Sequence, residues 1–211
     1  MLRINEELFF ILIIICFYAV IRGIFVLKKY KKNEKVGLVI EIMKLLFAIY
    51  VGMVISVTLF PLTILMNGYT PDIRHSMNML PLVTIIWRAK YILTGYNGDV
   101  TFAIWLLIKN VGGNVLLLMP LGFLTPIIFN KCNSLKKVLL IGLLTSLSIE
   151  LLQLLELIFR ITLVRAVDID DVICNVVGVG IGFLIYRVFI WLARKLKIHY
   201  AFKLNQNDAK V

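Results

Sequence analysis

The sequence predicts an all-α, polytopic integral membrane protein that crosses the bilayer about five times. Two bulk properties of the 211-residue chain favour this fold class: 61% of its residues are hydrophobic, and its mean hydropathy is +0.94. A soluble domain is typically about 45–50% apolar. The third observation is that apolar residues form long runs of about 20, the length at which a helix satisfies its backbone amides across hydrocarbon. We expect one membrane unit and no separate soluble domain.

Five apolar runs are long enough to span, and we place them at 8–27, 45–66, 111–129, 138–159 and 172–193. The first run is too long for a signal peptide and follows the acidic residues Glu6 and Glu7, so we expect it to be retained. Segment 67–109 is too long for a simple connector, and its apolar stretch 100–108 is too short to span. We expect this segment to pack at the membrane interface; the alternative is a lid in the outer leaflet.

The net charge of +11 comes from basic residues beside the apolar runs, which argues against a nucleic-acid-binding face. Lysines and arginines concentrate after the first run, between the third and fourth runs, and in the tail 194–211. Because cytoplasmic loops carry the excess of Lys and Arg, the predicted topology is N-outside and C-inside. Near the cytoplasmic ends, Arg22 can reach the headgroups, and Glu41 and Lys44 form an i, i+3 pair.

Polar residues recur along single faces of the last three spans. Ser146, Glu150 and Gln153 share one face of the fourth span, and Asp168, Asp171 and Asn175 share one face of the fifth. Glu150 lies roughly 14 Å from the outer helix end, so its carboxylate must be paired, protonated or hydrated. Two small residues, Gly178 and Gly182, continue the polar face of the fifth span and predict close approach of another helix.

Alternating span directions predict that these polar residues meet in the outer half of the membrane, with Arg160 and Arg165 above them. The predicted ligand-binding residues are Asn114, Glu150, Gln153, Arg160, Arg165, Asp168, Asp170, Asp171 and Asn175. The catalytic candidates, if the protein is an enzyme, are Glu150 and Asp171. No cofactor and no metal site is predicted, although Asp168, Asp170 and Asp171 are weak candidates for a divalent cation. Acids at a helix start are equally typical of helix capping.

Four motifs resemble the pattern of the VanZ-like family of bacterial membrane proteins. They are Asn-Met-Leu-Pro at 78–81, Asn114 with Met-Pro-Leu-Gly-Phe at 119–123, Ser-Ile-Glu-Leu-Leu-Gln at 148–153, and Arg165 with Asp-Ile-Asp-Asp at 168–171 through Asn175 to Gly178. The resemblance implies a VanZ-like membrane domain at 45–193. Residues 1–44 are then an extension, a helix with a basic cytoplasmic loop, and 194–211 a basic cytoplasmic tail. The implied location is the bacterial cytoplasmic membrane.

The family is named for a protein that gives low-level teicoplanin resistance, but the resemblance supplies no molecular mechanism. Our preferred hypothesis is a non-enzymatic envelope protein that lowers susceptibility to teicoplanin-class (lipo)glycopeptides by binding or occluding a surface lipid or cell-wall precursor. The alternatives are an intramembrane enzyme that acts on a lipid or polyprenyl phosphate through Asp and Glu, and a proton-coupled transporter that uses Glu150. The expected partners are membrane lipids or a lipid-linked precursor, with the glycopeptide and a second copy of the chain as further candidates.

Overall fold

A computed structural model describes residues 2–4, 7–32, 38–60, 62–64, 76–94, 99–159, 161 and 167–196. The helices are α1 (Glu7–Lys31), α2 (Leu38–Leu59), α3 (Val83–Thr94), α4 (Val100–Leu107), α5 (Gly113–Ile128), α6 (Leu135–Ile158) and α7 (Ile169–Lys195). A π-helical segment, Ile108–Gly112, joins α4 to α5. The strands are β1 (Leu2–Ile4), β2 (Leu62–Ile64), β3 (Met77–Asn78) and β4 (Val167–Asp168).

Five helices in the described ranges are long and apolar enough to cross a membrane, which confirms the predicted fold class. The bounds of the second span were predicted wrongly, because α2 covers Leu38–Leu59 rather than 45–66. Two charged residues, Glu41 and Lys44, lower the mean hydropathy of its first turns, so hydropathy alone places the start of the span too late. Its end is set by Pro61, because a residue that precedes proline is driven out of the helical conformation. The N-outside orientation stays a prediction from the charge distribution.

The third span is also longer than predicted. The stretch 100–108, which the sequence indicated was too short to span, continues through the π-helical segment into α5 to give one helical span, Val100–Ile128. Asn110, Gly112 and Gly113 interrupt the apolar run and are poor helix formers, so the sequence pattern divides one helix into two. The π turn absorbs this interruption without ending the helix.

The core of the bundle is the close packing of α5 against α7. A Cβ atom added to Gly178 would lie 2.0 Å from the carbonyl oxygen of Val115, and one added to Gly182 would lie 1.9 Å from that of Met119. The contact is reciprocal, since a Cβ on Gly122 of α5 would lie 2.1 Å from the carbonyl oxygen of Val179. The predicted close approach at the two α7 glycines is therefore confirmed, and the approaching helix is α5.

Contacts at the two ends join the first two helices. The guanidinium of Arg22 on α1 contacts both carboxylate oxygens of Glu41 on α2, with an Nε to Oε2 distance of 2.5 Å. Lys44 adds the predicted i, i+3 contact to Glu41 at 3.2 Å. At the other end, β1 and β2 pair antiparallel, which brings the segments before α1 and after α2 together. Arg22 thus links two helices, which the sequence pattern did not predict.

Candidate functional site

A short parallel strand pair positions the start of α7. The backbone N–H of Val167 donates to the carbonyl of Ser76 at 2.9 Å, and Asn78 lies opposite Asp168 in the register of β3 and β4. The Asn78 side-chain amide donates to Asp168 Oδ1 at 2.8 Å and to the Thr84 hydroxyl oxygen at 2.6 Å. The pairing thereby brings motif 78–81 and the beginning of α3 to the N-terminus of α7.

Glu150 and Asp168 connect α6 to the N-terminus of α7. Asp168 caps α7 because its Oδ1 accepts the backbone N–H of Asp170 at 3.0 Å. The backbone N–H of Asp168 in turn donates to Glu150 Oε2 at 3.1 Å. The Glu150 side chain is buried, and the positive end of a helix dipole is a favourable place for its carboxylate. The sequence left Glu150 to be paired, protonated or hydrated, and in the structure its carboxylate accepts a hydrogen bond from a backbone amide at the start of α7.

Asp170 is almost completely buried, at 2% exposure, and it caps a different helix from its own. Its carboxylate accepts the backbone N–H of Leu82 and that of Ile85, the latter at 3.2 Å, at the N-terminus of α3. Leu82 itself has a φ of 64°, a left-handed conformation that is uncommon for a residue other than glycine. Two accepted N–H groups offset the conformational cost of that turn and fix α3 to α7.

Asp171 is the least buried of these acids, and it faces α5 and α3. Its Oδ1 accepts the side-chain amide of Asn114 at 2.5 Å. Arg88 on α3 lies within range for Coulombic attraction to the same carboxylate. Asp171 is half-buried whereas Glu150, Asp168 and Asp170 are buried, so it is the carboxylate most accessible to a ligand. We call Glu150, Asp168, Asp170 and Asp171 the acid cluster.

Deeper in the bundle, Asn175 lies between α7 and α6. Its side-chain amide donates to the Ser146 hydroxyl oxygen at 2.9 Å, and both residues are fully buried. Within the described part of the chain, Asn175 Oδ1 has no hydrogen-bond partner. This contact extends the polar face of α7 from the acid cluster into the apolar core.

Gln153 does not join the acid cluster. Its amide Nε2 lies 3.4 Å from the backbone carbonyl oxygen of Thr58, so it contacts α2 rather than α7. The predicted residues Arg160 and Arg165 lie outside the described residues. The remaining predicted residues, Asn114, Glu150, Asp168, Asp170, Asp171 and Asn175, are brought together where α5, α6 and α7 meet.

Three residues of the site were missed as site residues by sequence reasoning: Asn78, Thr84 and Arg88. Asn78 carried a signal, because it opens the first motif of the family pattern. Thr84 and Arg88 carried no such signal, since they lie in a segment in which helix α3 was not predicted. No group of three or more His, Cys, Asp or Glu side chains in the described ranges is arranged to hold a metal ion. Instead, the carboxylates of the acid cluster accept hydrogen bonds from several different elements.

The comparisons with known proteins agree with the motif pattern. A family model described as VanZ/LLP1 matches residues 47–191, which is most of the chain and includes α5, α6 and most of α7 with the acid cluster. Searches of curated proteins and of solved structures gave no match. The family match and five apolar helices identify a multi-pass membrane protein. This chain therefore belongs to the VanZ/LLP1 family.

Proposed function

We propose that this protein acts in the bacterial cytoplasmic membrane and lowers susceptibility to teicoplanin-class (lipo)glycopeptides. It does so by binding a surface lipid or a lipid-linked cell-wall precursor at the acid cluster, or by occluding the antibiotic's access to that molecule. Membership of a family named for teicoplanin resistance supports the biological setting. The geometry of the acid cluster supports binding as the mechanism.

The observation that carries the proposal is the way the acids are held. Glu150, Asp168 and Asp170 accept hydrogen bonds from backbone or side-chain N–H groups of the protein itself. They are therefore fixed in position and buried. Asp171, held by Asn114, is the half-buried member that remains for a ligand. This arrangement is typical of a preorganised binding site in which one half-buried, accessible carboxylate is supported by fully buried neighbours.

The chemistry of the two half-buried charged groups, Asp171 and Arg88, indicates the class of ligand. A carboxylate only accepts hydrogen bonds, so Asp171 favours groups that donate them, such as sugar hydroxyls, peptide amides and ammonium groups. A bare phosphate would be repelled by the acids, and Arg88 supplies one compensating charge. A lipid that carries a sugar, peptide or amine headgroup can donate hydrogen bonds to Asp171 and avoids the repulsion that a bare phosphate would meet. Lipid-linked cell-wall precursors and amine-bearing surface lipids have such headgroups.

The test is antibiotic susceptibility in a strain whose teicoplanin tolerance depends on this protein. Asp171→Ala should reduce tolerance to that of the strain without the protein, while immunoblots show wild-type abundance in the membrane. Glu150→Ala should do the same because it removes the acceptor at the start of α7. Asp99→Ala is the matched control, since Asp99 is an exposed carboxylate that only caps α4.

Unchanged tolerance in the Asp171→Ala strain at normal protein abundance would refute the proposal. Two further results would move the assignment to another class. Turnover of extracted lipid phosphates by the purified protein, lost in Asp171→Asn, would make it an enzyme. Uptake that depends on a pH gradient and on Glu150 would make it a transporter.

A further inference from the structure

A cavity of about 160 Å³ lies between α2, α5 and α6, and its lining residue Ile149 directly precedes Glu150 of the acid cluster. Its wall on α2 runs from Tyr50 to Leu59, its wall on α5 includes Leu118 and Leu121, and its wall on α6 includes Ile149. All three helices are candidate membrane spans or parts of one. The cavity therefore lies at the level of the hydrocarbon core of the membrane and not among loops that water surrounds.

Three of the four hydroxyl-bearing residues in the cavity wall donate their hydroxyl groups to backbone carbonyls. Tyr50 donates to the carbonyl of Leu117 at 2.8 Å, and Thr58 donates to the carbonyl of Val54 at 2.7 Å. Ser148 donates to the carbonyl of Leu144 at 2.7 Å. A water molecule in a cavity needs two to four polar partners, and an apolar cavity of roughly 150 Å³ can stay dry and accept a hydrocarbon ligand. The cavity is therefore suited to hydrocarbon.

Gln153 marks the boundary between this cavity and the acid cluster. Ser146, Glu150 and Gln153 share one face of α6, and Thr145, Ile149 and Leu152 share the neighbouring face, which lines the cavity. The Gln153 amide reaches Thr58, another lining residue, across a long contact of 3.4 Å. A ligand's polar group can replace so weak a hydrogen bond at little cost. The contact to Thr58 places the face of α6 that carries Glu150 beside the cavity wall.

We infer that the cavity between α2, α5 and α6 binds a linear acyl chain of the surface lipid whose headgroup contacts the acid cluster. The inference rests on the proposed function, because it assigns the hydrocarbon part of the same ligand. The volume corresponds to roughly five or six groups of methylene size. Ser148 and Leu152, both exposed at the rim, leave the cavity open on the side where a bilayer lipid would enter. A surrounding phospholipid can enter there without leaving the membrane.

The experiment uses the full-length protein in phosphatidylethanolamine and phosphatidylglycerol vesicles that contain a small fraction of phosphatidylethanolamine with a diazirine on one acyl chain. After photolysis, mass spectrometry maps the labelled residues. We expect preferential labelling of cavity residues such as Ile149 and Leu121 over the equally apolar but outward-facing Leu151. Excess unlabelled phosphatidylethanolamine should compete this labelling.

Val51→Phe places a ring in the cavity, and Val57→Phe is its matched control on the exposed face of the same helix. The ring displaces roughly two methylene groups, so cavity labelling should fall about tenfold in Val51→Phe and stay unchanged in Val57→Phe. Val54→Phe, from the same wall, is the second variant if Val51→Phe does not fold. Labelling that is equal at cavity and outward-facing residues, or unaffected by both cavity variants, would overturn the inference.

Susceptibility assays on strains that carry the wild-type protein or Asp171→Ala separate this inference from the proposed function. If wild-type protein gives no teicoplanin tolerance but the cavity is labelled and competed, the acyl-chain site stands and the proposed function fails. If tolerance depends on Asp171 but the cavity is not labelled preferentially, the proposed function stands and the acyl-chain site is refuted.

Discussion

Substituting a single glycine of α7 tests whether the α5–α7 contact determines the stability of this protein. Gly182→Ala puts a Cβ atom 1.9 Å from the carbonyl oxygen of Met119, about 1.5 Å closer than the 3.4 Å at which ordinary contact begins. The obstacle is backbone, which cannot rotate away as a side chain would. The two helices must therefore separate along their contact.

Two opposing effects determine how much Gly182→Ala changes the free energy of unfolding. Overpacking a close-packed interior typically costs about 1–3 kcal/mol, and a rigid backbone obstacle places this case at the upper end. Alanine in place of glycine inside a helix recovers about 1 kcal/mol. We therefore expect Gly182→Ala to lower the free energy of unfolding by about 2 kcal/mol, with Gly178→Ala behaving alike because its Cβ would lie 2.0 Å from the Val115 carbonyl oxygen.

The matched control is Gly180→Ala on the same helix. Its Cβ would meet only Leu139 Cδ2 at 3.7 Å, an ordinary van der Waals contact. The helix-propensity gain then acts alone, so this variant should be as stable as the wild type or more stable. Reversible unfolding by dodecyl sulfate in mixed micelles, followed by far-UV circular dichroism, measures all three variants. Equal stability of Gly182→Ala and Gly180→Ala would refute the packing account.

Asp170→Ala should speed hydrogen exchange at the first amides of α3 but not in α6, because the α3 amides lose a buried acceptor worth about 1–3 kcal/mol. Unchanged exchange in α3 would contradict the capping role of Asp170. Glu41→Ala should destabilise by about 2 kcal/mol because it leaves the partly buried Arg22 without its carboxylate partner, and Arg22→Ala by about 1 kcal/mol because Glu41 then keeps only its contact to Lys44. In a double-mutant cycle the pair should cost less than the sum of the singles, whereas strict additivity would argue against the contact. Ser146→Ala should lower the free energy of unfolding by about 1–3 kcal/mol, because it removes the hydrogen-bond partner of the buried Asn175 amide. Ser148→Ala should change that free energy by less than about 0.5 kcal/mol. Equal effects of the two serine substitutions on dodecyl sulfate unfolding would show that the buried hydrogen bond adds nothing.

Hydropathy was enough to predict the number of spans but not all of their limits. A run of about 20 apolar residues can satisfy its own backbone only as a helix, so five such runs predict five helices. The predicted bounds of a span were wrong where charged residues or glycines interrupt the apolar run. These interruptions are Glu41 at the start of α2 and Asn110 with the nearby glycines in the third span. There, an ion pair with α1 and a π turn preserve the helix, and neither is visible in a hydropathy average.

Helical periodicity predicted which polar residues share a face, and most of them do meet at one end of the bundle. Periodicity fixes a direction relative to a helix's own axis, but the neighbour in that direction depends on how remote segments pack. Gln153 shares a face with Glu150 yet contacts α2, and Asp170 caps α3 instead of adding to an open acidic surface.

The sequence by itself therefore determined the membrane class, the five spans, the family pattern and the polar faces, because each of these follows from local composition and helical spacing. Only the tertiary structure decided what each acid contacts. The glycine contact between α5 and α7 and the pairing of β3 with β4 join segments that are far apart in the chain. The glycine contact brings Asn114 of α5 to Asp171, whereas the strand pairing brings Asn78 and the start of α3 to Asp168 and Asp170, so Asp171 stays the most accessible of the four acids.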